Sequence, residues 1–567
     1  MTRSLLAMSL LLVACPGVDT AKGDSADTGG GYVDSGDVLD TSETGETGET
    51  GDTEDTGVEA GLAALDAWPS GLTVNVGATW SVRVVGTDKA GVRAVYTAAA
   101  FGSDDLSVAT VDARGIVTAV GAGTATIDVS GEGFVVQLEV EVRAALEATV
   151  TVLDAATGAP IANASVWTNE TEVETDAAGV ATVSVASAGP INITAWETSE
   201  WFAVSVLDTI SRDVVLKLKR ADEREPSAQL HGDVDFSGML NADAAEEVFG
   251  LASGSVQGPL PLFQIDDLLA ADRTLVYFGV EVAVPSNLFV KGYLEDYYAD
   301  AFAGPVAVWG LGGPVPIAEL AAGLNGTGDA MALLIDHLDD LRWGVSGGHT
   351  ASAGATTEAA LVPSVSFTDT TKVALPSLSA GFEGTEEQLV CTFDGGDDGW
   401  VMTGLAMGAG VLDVRRVPAG SVPGSDRSAV WTMAQVGGIG SGPTGIAISA
   451  AADDGASTLA FPDFQDIPTI DAWSFNTRHL DLTVDSDATL VRITMVDPRG
   501  RVHELYAGGS WSGVVDKHND DFQRPTADIT VQSLSVLDGH FEQGVTDGSI
   551  APEAHEVESV SSCLLAQ

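Results

Sequence analysis

The chain has 567 residues and carries 82 acidic against 25 basic side chains, a formal charge of −57. Such acidity repels phosphodiester backbones and anionic headgroups, which sets aside nucleic acid and a headgroup-docked membrane mode. A hydrophobic content of 45% is ample for packed cores, and the length exceeds what one core sustains, so several domains are expected. Three cysteines, Cys15, Cys391 and Cys563, cannot make a disulfide scaffold, so the domains must rest mainly on apolar burial.

At the start of the chain Arg3 precedes an apolar run at residues 5–13. This run falls far short of the roughly 20 residues that cross a bilayer. A basic start, a short apolar stretch and small residues before a cleavage point describe a secretory signal. The end of the run, Leu12-Val13-Ala14-Cys15, resembles the lipobox of bacterial lipoproteins. The resemblance implies removal of residues 1–14 and acylation of Cys15, which would fix the protein to a membrane through its lipid. Pro16 after the cysteine, rather than Asp, resembles signals sorted to the outer membrane. Cys391 and Cys563 then remain as an even pair that either forms one disulfide or stays as two thiols.

Residues 15–60 read as a disordered acidic linker, in which Thr44-Gly45-Glu46-Thr47-Gly48-Glu49 repeats a Gly-Glu-Thr triplet. There is little apolar surface here to offset the entropy of ordering, and like charges extend the chain. A random coil of this length spans on the order of 35–40 Å.

From residue 61 the pattern changes to short apolar strands broken by Gly, Asp and Ser. The run Val108-Ala109-Thr110-Val111-Asp112, then Gly115, then Val117-Thr118-Ala119-Val120-Gly121-Ala122-Gly123-Thr124-Ala125-Thr126-Ile127 resembles the bacterial Ig-like group 2 (BIG2) family. The resemblance covers 61–143 and implies a β-sandwich with Val108, Val111, Val117 and Ile127 facing its core. Residues 146–219 are similar to the carboxypeptidase regulatory-like, transthyretin-like family: a strand, Asp154 with Thr157-Gly158 and Pro160, then a Thr175-Asp176 and Gly179 hairpin. That family implies a second small sandwich, closed by a strand at 214–218 and without catalytic residues of its own.

Beyond a charged linker at 220–226 the remaining residues read as a larger β-rich region with a few helices. Strands are expected within 274–284, 482–484, 490–496 and 529–536, and helices over 316–323 and 329–341. A split near 385 divides the region into a β-rich domain with a helical insertion, 227–385, and a β-sandwich or jelly-roll-like domain, 386–560.

The sequence offers little chemistry. No His-Glu-x-x-His pattern occurs, and His555-Glu556-Val557-Glu558 has no later histidine to complete a zinc set. Asp233, Asp235, Ser237 and Asn241 fall at calcium-loop positions 1, 3, 5 and 9 with Gly238 at the sharp turn. Ala244 stands where the last carboxylate belongs, so a strand over 230–236 followed by a turn is the favoured reading and Ca²⁺ the weaker one. The run Asp394-Gly395-Gly396-Asp397-Asp398-Gly399 is read as an acidic hairpin before a calcium site. Trp196, Trp201, Trp400, Trp431, Trp473 and Trp511 are either core residues or sugar-gripping aromatics.

The sequence therefore predicts a non-enzymatic, lipid-anchored cell-envelope protein of the outer membrane, exposed at the surface or in the periplasm. Its β-sandwich modules are expected to be strung with small interfaces, for adhesion, surface structure or ligand presentation to an extracellular protein or glycan. No cofactor other than Ca²⁺ is implied. The alternatives are a carbohydrate-binding lipoprotein and a glycoside hydrolase, which needs two carboxylates about 5–10 Å apart in a cleft.

Overall fold

The computed structural model describes residues 61–551 and 557–565, apart from internal stretches of which the longest are 221–227, 240–245, 257–272, 325–329, 383–387, 436–443, 450–457 and 517–527. Expectations for residues 1–60, Cys15 among them, lie outside the described residues, as do Asn241 and His555. The fold is mainly β, with short helices at Ile317–Leu324, Ala330–Asp336 and Phe541–Asp547.

The first module is a sandwich built from strands between Leu62–Trp68 and Phe134–Arg143. Its last strand alternates exposed and buried residues and pairs antiparallel with Gly123–Gly131, while Gly71–Asn75 lies parallel to its far half. Val117 and Ile127 are fully buried, Val108 nearly so, and Val111 packs at the margin of the same core. Gly115 takes a left-handed φ of 78°, and a Cβ there would strike the Phe101 ring at 2.8 Å, so both backbone and packing require glycine.

The second module follows with two facing sheets. Glu147–Asp154 pairs antiparallel with Val180–Ser184 and parallel with Asp213–Leu218. The opposite sheet joins Glu172–Glu174, Ser165–Thr168, Ile191–Trp196 and Ala203–Thr209. Its turns are fixed by aspartate side chains: Asp154 accepts from Ala156 N and Thr157 N, and Asp176 accepts from Ala178 N and Val180 N.

The C-terminal region departs from the expected string of modules. Ala203–Thr209 of the second module pairs in parallel with Val502–Ala507, Ala203 opposite His503 and Val206 opposite Tyr506. Through this seam the outer sheet of the second module continues into one 15-stranded sheet. Val204 and Val206 share a core with Tyr506, Leu490 and Leu534. A split near 385 is also not where strand pairing changes: Asp369–Ala374 pairs with Val411–Arg416. One apolar core gathers Phe249, Leu311, Leu334 and Trp343 with Val401 and Leu405. Modules with small interfaces would leave these residues wet; burying them fuses the body instead.

The expected helices at 316–323 and 329–341 are found as Ile317–Leu324 and Ala330–Asp336, with Leu333, Leu334, Leu338 and Leu341 buried. The Phe541–Asp547 helix has no counterpart in the sequence reading. Its local signals are present: the His540 side chain caps it by accepting from Glu542 N, and Gly548 follows in the left-handed region at φ 73°.

Candidate functional site

The most built polar arrangement is a joint where the Phe541–Asp547 helix meets both N-terminal modules. Between those modules runs the turn 209–212, buried on every side. Arg212 is fully buried; its guanidinium donates to Asn75 Oδ1, to the carbonyls of Ile210 and Ser211, and to Gly189 O at 2.7 Å. Asn75, on the first module, completes the link by donating to Arg143 O and Ala145 O. Each polar atom taken from water here has gained a partner, which is the condition for burying it at all.

Glu542 enters the same turn from the C-terminal helix. Its carboxylate accepts from Thr209 Oγ1 at 2.7 Å, Ile210 N at 3.0 Å and Ser211 N at 3.2 Å. Burial pushes the Glu542 carboxyl above its ordinary value, against the pull of these donors and of Arg212. Next to it Gln543 Oε1 accepts from both Ser70 N and Ser70 Oγ of the first module. His540, at the helix start, is driven down to about 4, first by burial and then by Arg83. A Cβ on Gly548 would meet Val215 at 2.7 Å, so glycine there permits the close approach of helix and sheet. Outside the buried core of the joint, Arg143 forks onto Asp213 at 2.9 and 3.0 Å.

A second polar cluster lies along the seam. Glu504 is buried beside Arg492, which donates to it; Tyr506 Oη donates at 2.8 Å and Lys219 stands 4.0 Å away. Burial opposes its charge, but Arg492 and Lys219 hold the Glu504 carboxyl down to about 2. On the other face Ser205 Oγ and His503 Nε2 lie 2.7 Å apart, with Thr194 Oγ1 2.6 Å from the serine. The Ser–His distance suits a nucleophile and its base, yet both side chains are fully buried and no substrate reaches them. The pair serves the seam.

The predicted site residues are mostly not brought together. Ala228–Asp233 is a strand, and the Asp235 carboxylate accepts from Ser237 N to cap the short 3-10 turn Phe236–Gly238. The 233–238 backbone is thus a strand end and a capped turn, while Asn241 lies outside the described residues. Gly238 answers to packing, since a Cβ there would lie 2.7 Å from Pro363 O. No group of three or more His, Cys, Asp or Glu that could hold a metal occurs among the described residues. Asp397 and Asp398 form the turn of a hairpin between Gln388–Gly396 and Gly399–Gly408. Asp394 behind it is buried against Arg416 and Ser428 Oγ.

The Cys391–Cys563 disulfide does not form. Cys391 is a free thiol on Gln388–Gly396, and the strand Val557–Leu565 that holds Cys563 lies three places away in the sheet order. At about 4.8 Å per strand the two backbones are on the order of 14 Å apart, beyond disulfide reach. Trp400, Trp431 and Trp511 are core residues, whereas Trp196 and Trp201 are half-buried. Arg220 lies over the Trp201 ring at 4.5 Å. The side chain of Trp473 lies outside the described ones.

Among the described residues, His231 stands between two carboxylates. Its Nδ1 is 3.1 Å from Glu358 and its Nε2 3.5 Å from Asp296, which also accepts from Arg273.

No family model matches the chain, and no curated protein matches it. Solved structures to which it is similar include domains 5–6 of the surface-layer protein SbsC, at 14% identity over 42% of this chain and 97% of that one, TM-score 0.14. The Bacillus anthracis TIE protein is 10% identical over 69% of this chain and 71% of that one, TM-score 0.14. Domains 4–9 of SbsC give 12% identity over 84% and 80%, TM-score 0.16. Superpositions this loose carry no argument. The class that fold and joint define is a multi-module β protein with locked joints.

Proposed function

We propose that this is a lipid-anchored stalk of the bacterial cell envelope that holds a large β body away from the membrane, for adhesion, surface structure or ligand presentation. In this reading Cys15 carries the lipid, residues 16–60 are the tether, 61–143 is an Ig-like group 2 module and 146–219 a transthyretin-like one. The observation that carries it is the locked joint of Arg212 and Glu542, which makes the first two modules and the body one stiff unit. A stalk needs such stiffness; a flexible string of independent binders does not. The direction of the chain supports it too. Leu62 enters the first module beside Glu132, at the far end of the strand that leads through Arg143 into the joint, so the tether and the body attach at opposite ends.

The test is acylation and phase partition. Cys15→Ser should move the protein from the detergent phase to the aqueous phase and abolish labelling by a fatty-acid precursor. An unchanged detergent fraction overturns the anchor, and with it the stalk.

A further inference from the structure

Ser346 and His349 form a second serine–histidine pair, and unlike Ser205 and His503 it is not sealed from solvent. Ser346 Oγ lies 2.9 Å from His349 Nε2, and both residues are half-buried beside the exposed Gly347 and Gly348. Their strand, Arg342–Ala351, is the last in the order of its four-stranded sheet. On a regular strand, residues three apart point to opposite faces and cannot meet. A bulge removes that obstacle. Val308 pairs with Ser346 and Val306 with His349, so Gly347 and Gly348 together stand against Ala307. The extra residue returns His349 to the face that Ser346 occupies.

The bulge is held from several sides. Gly348 takes a left-handed φ of 78°, and its N–H donates to Asp398 Oδ2 at 2.6 Å. A Cβ on Gly347 would lie 2.8 Å from that same oxygen, and one on Gly344 would lie 2.6 Å from Val362 O. Ala307, opposite the bulge, donates its N–H to Asp398 O at 3.2 Å and to Ser255 Oγ at 3.1 Å. The tip of the 388–408 hairpin thus pins the bulge, and glycines let it pack. Ser346 stands in Gly344-Val345-Ser346-Gly347-Gly348, the Gly-x-Ser-x-Gly spacing of a hydrolase nucleophile, here on a bulged strand instead of a strand-to-helix turn.

We propose that Ser346 is a nucleophile with His349 as its general base, and that the pair cleaves short-chain carboxylic esters. His349 Nε2 takes the hydroxyl proton as Ser346 Oγ bonds to the ester carbonyl carbon. The imidazolium returns that proton to the departing alkoxide, leaving an acyl-serine and a free alcohol. A water molecule, giving a proton to the same nitrogen, then attacks the acyl carbon; the acid is released and Ser346 regains its proton. The face that carries the pair also carries Val306 and Val308 of an apolar core, so a short hydrocarbon acyl group suits it. The site goes beyond the stalk reading and does not depend on the lipid: Cys15→Ser removes the anchor and leaves the pair intact.

The test is labelling of the full chain by a fluorophosphonate, which forms an Oγ–P bond and expels fluoride while His349 takes the proton. The labelled peptide is mapped by mass spectrometry, and turnover is read with p-nitrophenyl butyrate. A label at Ser346 and steady release of p-nitrophenol are expected, and Ser346→Ala should abolish both. Ser107→Ala, at an exposed serine bonded to Asp105 rather than to a base, should leave both unchanged. His349→Gln can still hydrogen-bond the serine but takes no proton, so labelling should slow about 100-fold or more. A histidine that merely held the bulge would be replaced by that glutamine without loss. Should His349→Gln unfold, the wild-type chain in denaturant, where the pair is apart, should lose the label at Ser346. No label at Ser346 in the folded wild-type chain, full labelling of folded His349→Gln, equal labelling in denaturant, or a label without ester turnover overturns the proposal.

Discussion

The two connections that stiffen this molecule are made in different ways. The seam between the second module and the body is backbone: Ala203–Thr209 and Val502–Ala507 share a parallel ladder, which asks of the sequence only extended strands with apolar faces. The joint between the first two modules is side chain: Arg212, Asn75 and Glu542 satisfy one another and the turn beneath them. A ladder tolerates substitution because each bond is made by the main chain. A buried polar joint does not, because every missing partner leaves a desolvated group behind.

The sharpest way to break the comparison is to remove Arg212. Arg212→Ala strips the carbonyls of Ile210, Ser211 and Gly189 of their donor and leaves Glu542 without its facing cation. A loss of about 3–5 kcal/mol is expected from such an uncompensated charge, read by denaturant unfolding of the full chain. On the seam, Val204→Ala removes methyl groups from a core but no ladder bond, and should cost about 1–3 kcal/mol. If Val204→Ala proves as damaging as Arg212→Ala, the contrast between joint and seam is wrong.

Glu542→Ala comes next. It leaves Ile210 N buried without its acceptor, at about 1–3 kcal/mol, and Ser211 N with Thr209 Oγ1 as its remaining one. Hydrogen exchange should show the Phe541–Asp547 helix opening while the seam stays protected. Glu542→Gln keeps one acceptor oxygen and should recover part of the loss.

Acidity sharpens the same contrast. His540 titrates near 4 when docked, below the ordinary histidine value near 6.5. Between those values the undocked helix binds a proton that the docked one refuses, so docking weakens as pH falls from about 6.5 to 4. Glu542 opposes this, since its raised carboxyl favours docking as pH falls. Arg83 faces the histidine and Arg212 the carboxylate. His540→Asn, which can still cap the helix, should flatten the fall; an unchanged slope would assign it to other groups. Glu504, held near 2, should add no pH dependence of its own over the same range.

These contrasts also mark what the sequence could tell. Strands in the first two modules are legible because alternation and turn residues are local: Asp154 and Asp176 cap their own turns within four residues. The helices near 317 and 330 follow from apolar spacing. The joint is not local. Glu542 meets Thr209 across a separation of 333 residues, and a glutamate in a polar run looks like any solvated one. Arg212 is no different; one basic residue before Asp213-Val214-Val215 announces nothing of its burial. The seam escaped for another reason: Val204 and Val206 read equally well as the end of a closed sandwich or as half of a longer sheet.

The smallest effect concerns Cys391, which sits where the body's cores adjoin, beside Met402. Burial pushes its thiol up to about 12, so it stays protonated and poorly nucleophilic at neutral pH. Alkylation mapped by peptide mass spectrometry should therefore leave Cys391 unmodified in the native protein and label it only in denaturant. Because the thiol belongs to the fused body, Glu542→Ala should open the joint without speeding that labelling. Faster labelling in this variant would show that joint and body unfold together, and the distinction between a specific joint and a tolerant sheet would then hold for the contacts alone, with both regions melting as one cooperative unit.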